Sequence, residues 1–508
     1  MELRSHQKEF AEICDEILHT NNSIKEIILS VTPGGGKSFI PVITAIKLLP
    51  GIAQKLCWVV PRNSLKYQGE EEFLNPAWDT KIRLRAADNG VDLSRGLEGY
   101  ITTYQAIGQD PECHKQEFTK HRYILILDEE HHVSKDSTWE TAIQPLVELS
   151  ALVIYASGTL SRDDGKCIAF MPYSRNIYSG SLELDLENTK ERRVIQYSRK
   201  QAIKENAILD VKFIAVDGEA EWEEKDGTKK SSLLSGEESA KALFTALRSG
   251  FAEQLLLTCF KSWVEELKVY PKAKMLVVAP NIEVANTYHE FLASKKLAVR
   301  IATSEDSVKA REDIKEFKKH KFNILVTVAM AYEGLSVPEI THICCLTHIR
   351  SVPWLEQCFA RGNRLAKGKT RAFCFAPRDH MFLKAVKMIN CENLVPVDEA
   401  TTFETENEEK EKGEYEKNPW ITVIGSKAYT EDVEIKEVKI ELTPSEKEKV
   451  IRKAINDKVK KMVSAQRSGS IVMMSKIIHK KIKTIVNKPV AEMTAEELEK
   501  IQTWIQTL

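Results

Sequence analysis

The chain has 508 residues, 43% of them hydrophobic, which suits about three globular domains and excludes a disordered or fibrous protein. A formal net charge of −1 means that any affinity for a polyanion must come from local patches and not from a whole-molecule field. Ten cysteines with no CxxC pair, several inside apolar runs, exclude a disulfide scaffold, and no window approaches the roughly eighteen uncharged apolar residues of a membrane helix.

Taken in chain order, residues from Leu3 to about Ser179 alternate apolar runs with helical stretches. Glu26-Ile27-Ile28-Leu29-Ser30-Val31 is short, β-branched and without period-2 polarity, so it is predicted to be a strand buried on both faces. Phe39 to Ile46 has helical spacing, with Pro41 in the first turn, where a helix tolerates it. Further strands are predicted over 55–60, 99–103, 122–127 and 151–156, the signature of a parallel sheet covered by helices. Residues 180 to about 255 are less regular, and the polar stretch GEAEWEEKDGTKKSSLLSGEES is expected to be a surface excursion. A second alternation follows, with strands over 275–280, 298–303, 323–328, 342–346 and 371–376 and helices over 283–294, 307–319 and 354–361. Residues 401–417 hold seven glutamates and three lysines, a solvated linker. Beyond it, Lys447 to Lys488 contains thirteen Lys/Arg and two acids, which suits either a duplex-binding module or a solvated helical face.

The loop between the first strand and its helix, Thr32-Pro33-Gly34-Gly35-Gly36-Lys37-Ser38, is nearly bare of side chains. Exposed backbone N–H groups and the positive end of a helix dipole make an anion cradle. Lys37 is placed to reach the β/γ-phosphates of a nucleotide, and the Ser38 hydroxyl to ligate Mg²⁺. The strict GxxxxGK[ST] pattern is broken by Val31, which stands at its first glycine. The strand YILIL delivers Asp128 and Glu129 at its C-terminal end, where open parallel sheets hold ligands. Asp128 would serve Mg²⁺, and Glu129 would orient and deprotonate the attacking water.

Together TPGGGKS and DEEH, with the segments around them, resemble the superfamily 2 helicases and translocases, in an ordered set covering residues 3 to about 376. The resemblance implies ATP and Mg²⁺ as cofactors, with Thr32, Gly34, Gly35, Gly36, Lys37 and Ser38 lining the nucleotide loop. LRSHQ resembles the adenine-reading motif, which implies Arg4 and Gln7 on the base. VVPRNSLKYQ and ITTYQAI resemble the strand-facing motifs Ia and Ib, and with the second-domain strand they imply Arg62, Thr103 and Thr327 as nucleic-acid contacts. SGTLSR resembles motif III, whose Ser157 and Thr159 would couple hydrolysis to movement, and His131 is expected to link the two domains. LVTVAMAYEGLSVPEITHI resembles motif V and implies Gly334 at the nucleotide. QCFARGNR resembles motif VI and implies Gln357 at the nucleotide, with Arg361 and Arg364 catalytic, three apart on a predicted helix so that both reach the cleft from one face. THIRSVPW offers His348, Arg350 and Trp354 as further strand contacts, with a core position the equal alternative for Trp354. Two departures stand out: Ala360 replaces the usual glycine of motif VI, and Ser336 the usual acid of motif V.

The expected fold is therefore α/β: two tandem RecA-like domains, parallel sheets with helices on both faces, plus a small, mainly helical C-terminal domain. The expected boundaries are 1–190, 191–400 with an irregular segment 191–255, an acidic linker 401–418, and a basic accessory domain 419–508. The expected function is an ATP-dependent DNA helicase or translocase in the cytoplasm, with nucleic acid as partner, no membrane, and a protein partner open to the C-terminal domain. The DEEHH form and the Thr-Pro-Gly loop resemble repair and restriction motors, which favours DNA. An RNA helicase and a non-travelling ATP-gated clamp are the alternatives.

Overall fold

A computed structural model of the chain describes residues 3–19, 23–49, 51–160, 162, 165–175, 182–303, 307–328, 335, 337–391 and 421–429, and a few positions between 485 and 504. The acidic linker, nearly all of the basic stretch from Lys447 to Lys488, Gly334 and Ser336 lie outside them, so the small helical C-terminal domain does too.

The first half runs α1 (Ser5–His19), β1 (Glu26–Val31), α2 (Ile40–Leu48), β2 (Lys55–Val60), α3 (Asn63–Phe73), β3 (Leu84–Ala86), β4 (Gly99–Thr103), α4 (Tyr104–Gln109), α5 (Pro111–Lys120), β5 (Tyr123–Asp128), α6 (Thr138–Leu149) and β6 (Leu152–Ser157). A short hairpin, β7 (Tyr173–Arg175) and β8 (Leu182–Leu184), leads to β9 (Arg192–Tyr197) and α7 (Arg199–Lys204). The strands form one seven-stranded, all-parallel sheet in the order β3-β4-β2-β5-β6-β1-β9. Successive residues of a strand point to opposite faces. Ile27 and Leu29 accordingly join the core with Leu56, Trp58, Ile124 and Ile126, while Ile28 joins the opposite core with Cys57, Val59, Leu125 and Leu127. Both faces are covered, which is why these strands lack alternating polarity.

The second half runs β10 (Val211–Val216), β11 (Gly218–Glu223), β12 (Lys229–Leu233), α8 (Ser239–Ala246), α9 (Gly250–Val269), β13 (Lys274–Ala279), α10 (Ile282–Ser294), β14 (Val299–Ala302), α11 (Ser307–Lys318) and β15 (Ile324–Val328). It continues with β16 (Ile340–Cys345), α12 (Val352–Phe359), β17 (Ala372–Pro377), α13 (His380–Cys391) and, after a long interval, β18 (Thr422–Ala428). Six strands make a second all-parallel sheet in the order β10-β17-β16-β13-β15-β14. The fold is α/β. No helix among the described residues is long and apolar enough to cross a membrane.

The segment expected to be irregular is structured. β9 extends the first sheet beyond β1, past the boundary expected at residue 190, and β11 pairs antiparallel with β12 and with β18. In β11 only Ala220 and Trp222 point inward, both fully buried, between outward-facing glutamates. A strand with two apolar positions among charges reads as a polar excursion, although one buried indole is enough to anchor it. β18 lies within the segment 419–508 and is hydrogen-bonded to β11.

Arg350 is also displaced from its expected place. Its side chain is fully buried, with Nε bonded to both oxygens of Asp379 at 3.1 and 2.9 Å and Nη2 2.8 Å from Oδ2. Asp379 in turn accepts from Phe382 N at 2.9 Å, capping the start of α13. This pair fixes the loop after β16 to α13 and leaves no guanidinium for a nucleic-acid strand. Asp379→Ala would strand a buried cation, so it is expected to destabilise the second sheet by about 3–5 kcal/mol. Chemical denaturation followed by circular dichroism checks it, and a loss below about 1 kcal/mol would contradict the buried pairing.

Candidate functional site

The phosphate-type loop begins where β1 stops. Val31 is still strand, paired with Tyr197 of β9 and 1% exposed, so the pattern's missing first glycine is explained by a side chain packed in the core. Thr32 N donates to Tyr197 O and Gly35 N to Thr32 O, closing a tight turn. Gly34 and Gly36 have φ of +84° and +94°, a region where a Cβ is strained. At Gly35 a Cβ would lie 2.7 Å from Thr32 O and from Val31 Cγ1. The glycines are thus required by backbone conformation and by close approach. Lys37 starts a single 3₁₀ turn, Lys37–Phe39, which runs into α2.

β5, β6 and β1 are neighbours, so their C-terminal ends place Asp128, Ser157 and the loop side by side. Lys37 Nζ lies 2.9 Å from Asp128 Oδ1 and is paired with the Glu129 carboxylate. Trp58 Nε1 donates to Asp128 Oδ2 at 3.3 Å, and Tyr104 Oη to Asp128 O at 2.9 Å. Glu129 sits at φ +55°, a bend that turns its carboxylate back toward Lys37. Burial works against the Lys37 charge, but Asp128 and Glu129 outweigh it and raise its pKa. Burial likewise pushes Glu129 up, yet Lys37 and then His131 hold it down at about 2. Burial raises the Asp128 carboxyl against the opposing pull of Lys37.

His131, Ser157 and Thr159 form one cluster beside Glu129. Ser157 Oγ is 3.0 Å from His131 Nδ1 and donates to Glu129 Oε2 at 3.3 Å; Thr159 Oγ1 is 3.3 Å from the same His131 nitrogen. Gly158 N donates to Glu129 Oε2, also at 3.3 Å. Burial lowers the His131 pKa to about 3, so the ring is neutral at physiological pH. Its bonds are to its own sheet, where the sequence suggested a link between domains.

Arg4 and Gln7 meet the loop from α1 and the residue before it. Arg4 Nη1 donates to Gly34 O and Gln7 Nε2 to Gly36 O, each at 3.0 Å, while Gln7 Oε1 accepts from Arg4 N. Between them His6 stacks on Tyr197, ring centroids 4.1 Å apart.

From the second sheet, α12 ends at Phe359, so Arg361 and Arg364 are not on a helix, contrary to the sequence expectation. Ala360 to Gly362 form a turn that carries Arg361, and an irregular loop that carries Arg364 follows. Arg361 Nη1 donates to Leu335 O at 3.0 Å. Burial, with the Arg361 charge adding to it, lowers the Arg364 guanidinium to about 9, so it remains cationic at neutral pH. Gln357 is half-buried on α12. Sequence reasoning missed Asn363, between the arginines, whose Nδ2 donates to Pro33 O at 3.0 Å. Its place inside the QCFARGNR segment was the one available signal.

The expected strand contacts are less well placed. Thr103 is the N-cap of α4, its Oγ1 accepting from Ala106 N at 3.1 Å. Thr327, 1% exposed, donates to Ala302 O at 2.9 Å across the second sheet. Arg62 stands at the N-cap position of α3, its side chain making no capping bond, and is half-buried.

Residues 1–162 match the family described as type III restriction enzyme, res subunit, and residues 258–366 match the helicase conserved C-terminal domain. An uncharacterised protein of Mycobacterium tuberculosis is 24% identical over 360 residues, covering 70% of this chain and 58% of that protein. A candidate helicase of Sulfolobus islandicus filamentous virus is 23% identical over 363 residues, covering 69% of this chain and 60% of the viral protein. The chain therefore spans about three-fifths of the length of these curated relatives. The solved structure of the ATP-dependent type ISP restriction-modification enzyme LlaBIII bound to DNA is similar with a TM-score of 0.51 and 13% identity, covering 95% of this chain and 36% of that one. At that identity the likeness is one of fold, two RecA-like sheets in tandem.

Proposed function

Because the chain belongs to the superfamily 2 helicases and translocases, we propose that it hydrolyses ATP at the cleft between its two parallel sheets and uses the cycle to move along or remodel nucleic acid, with DNA as the strand. The observation that carries this reading is the Lys37 ammonium held between Asp128 and Glu129 beside a three-glycine loop. When the Lys37 ammonium turns to a triphosphate, the Asp128 and Glu129 carboxylates it has paired are released, one to serve Mg²⁺ and the other the attacking water. Loop amides and Lys37 bind the phosphates; Ser38 and Asp128 would hold Mg²⁺, which when bound neutralises charge on the phosphate oxygens. Glu129 orients the attacking water and accepts its proton, kept in place by Ser157 and the Gly158 amide. Arg361 and Arg364 approach from the second sheet to meet charge that develops on the transferring group. The Thr-Pro-Gly loop, and the restriction-enzyme family matched over residues 1–162, favour DNA over RNA.

ATP turnover measured with single-stranded DNA, duplex DNA and RNA of one sequence tests the reading, with strand displacement on a forked duplex as the second readout. Stimulation by DNA is expected. Stimulation by RNA alone would make the protein an RNA motor, and turnover without displacement or travel would favour a clamp. Lys37→Ala is expected to weaken nucleotide binding and to reduce turnover by at least ~100-fold, because it removes the phosphate-binding cation itself. Equilibrium titration with a fluorescent ATP analogue checks this, and unchanged affinity with unchanged turnover would contradict the site.

A further inference from the structure

Every main-chain carbonyl of the loop from Gly362 to Arg364 has a donor. Lys369, 5% exposed, directs its Nζ to Gly362 O at 2.6 Å, to Arg364 O at 2.9 Å and to Pro338 O at 2.9 Å. Asn363 O accepts from Leu209 N at 2.7 Å, in the segment that connects the two sheets. A loop held at each carbonyl has little freedom of its own, so wherever it is docked, its arginines are docked with it.

The side chain of Asn363 does the docking. It is 1% exposed, its Nδ2 donates to Pro33 O at 3.0 Å, and its Oδ1 is buried without a hydrogen-bond partner. The same Oδ1 lies 2.6 Å from the place a Cβ on Gly34 would occupy. One amide of the second sheet therefore sits against the phosphate loop of the first, in a space that only a glycine leaves open. The flanking Gly362 and Arg364 carbonyls are the ones that Lys369 holds. An amide that lies between Arg361 and Arg364 in the chain and is bonded to the loop proposed to bind phosphate ties the two loops together by direct contact.

We propose that Asn363 is a positioning residue that docks the arginine loop onto the phosphate loop and so sets the registry of Arg361 and Arg364 against Lys37. The inference rests on the ATP-motor reading above and concerns how its cleft is assembled. Misplacement by about 1 Å costs on the order of 100-fold in rate where reacting groups must be aligned. A tie of this kind should therefore be seen in the rate of the bound complex and not in nucleotide binding, to which Asn363 adds no charge.

The test uses the full chain and the variants Asn363→Ala and Asn363→Leu, the second keeping the approximate shape and neutrality and removing the donor to Pro33. Maximal nucleic-acid-stimulated turnover should fall by ~10- to 100-fold in both, with the affinity for a non-hydrolysable ATP analogue within about 2-fold of the parent and the melting temperature little changed. Small-angle scattering without nucleotide should show an expanded chain, since the contact between the sheets is lost. Wild-type or raised turnover in the variants overturns the inference, as does a loss of affinity that accounts for the whole loss of rate. Collapse of the melting transition in both variants also overturns it, because the residue would then be a structural tie. A parent chain with no nucleic-acid-dependent turnover defeats the ATP-motor reading itself and the inference with it, whereas an active parent with active variants defeats the inference alone.

Discussion

Glu129→Gln should bind nucleotide at least as tightly as the parent chain and turn it over at least ~100-fold more slowly. The substitution is nearly isosteric, so the bend at φ +55° that presents the side chain and the packing around it are kept. Its amide oxygen can still accept from Gly158 N and Ser157 Oγ, which both reach Oε2 in the parent. What is lost is the capacity to take a proton from water. Binding should not suffer, because Lys37 is paired with both Asp128 and Glu129 and removing one of these charges leaves its ammonium freer for phosphate. A rapid-quench measurement of one turnover, beside an equilibrium titration with ATP, separates the two effects. Parent-like turnover would remove Glu129 from the chemistry and with it the reading of the DEEH segment.

The parts of this site that were legible in the sequence share one physical origin. Buried parallel strands are short, apolar and β-branched, and the residues that end them stand at fixed places, so TPGGGKS and DEEH could be located from strand ends alone. The strand over 26–31 and that over 55–60 have the extents the periodicity predicts. What escaped depended on contacts between distant residues. Tyr197 stacks on His6 and pairs with Val31, yet nothing near residue 197 signals either partner. Asn363 and Pro33 are 330 residues apart. The arginine pair is expected on a helix because helical spacing runs through Gln357 to Arg361, but the helix stops at Phe359. Where a helix stops is set locally, and periodicity does not report it.

Arg364→Ala is expected to lower kcat by roughly 10³-fold with little change in nucleotide affinity, the signature of a group that acts on charge appearing late in the reaction. Of the two arginines it is the freer to act, because Arg361 is committed through Nη1 to the Leu335 carbonyl whereas the Arg364 main chain is the part held, by Lys369. Its guanidinium is half-buried and stands beside a like charge, and burial and the neighbouring Arg361 lower its pKa to about 9. Such a cation gains more from a developing negative charge than a solvated one would, since it has less water to give up. The same reasoning predicts little contribution to the resting complex, where the loop amides and Lys37 are expected to meet the γ-phosphate charge. Steady-state turnover at saturating nucleic acid, read beside the affinity for a non-hydrolysable analogue, separates the two states. If Arg364→Ala weakens analogue binding by as much as it slows turnover, the residue holds the ground state, and the stabilising of late charge has to be sought at Arg361 or in the nucleic-acid-bound form of the cleft.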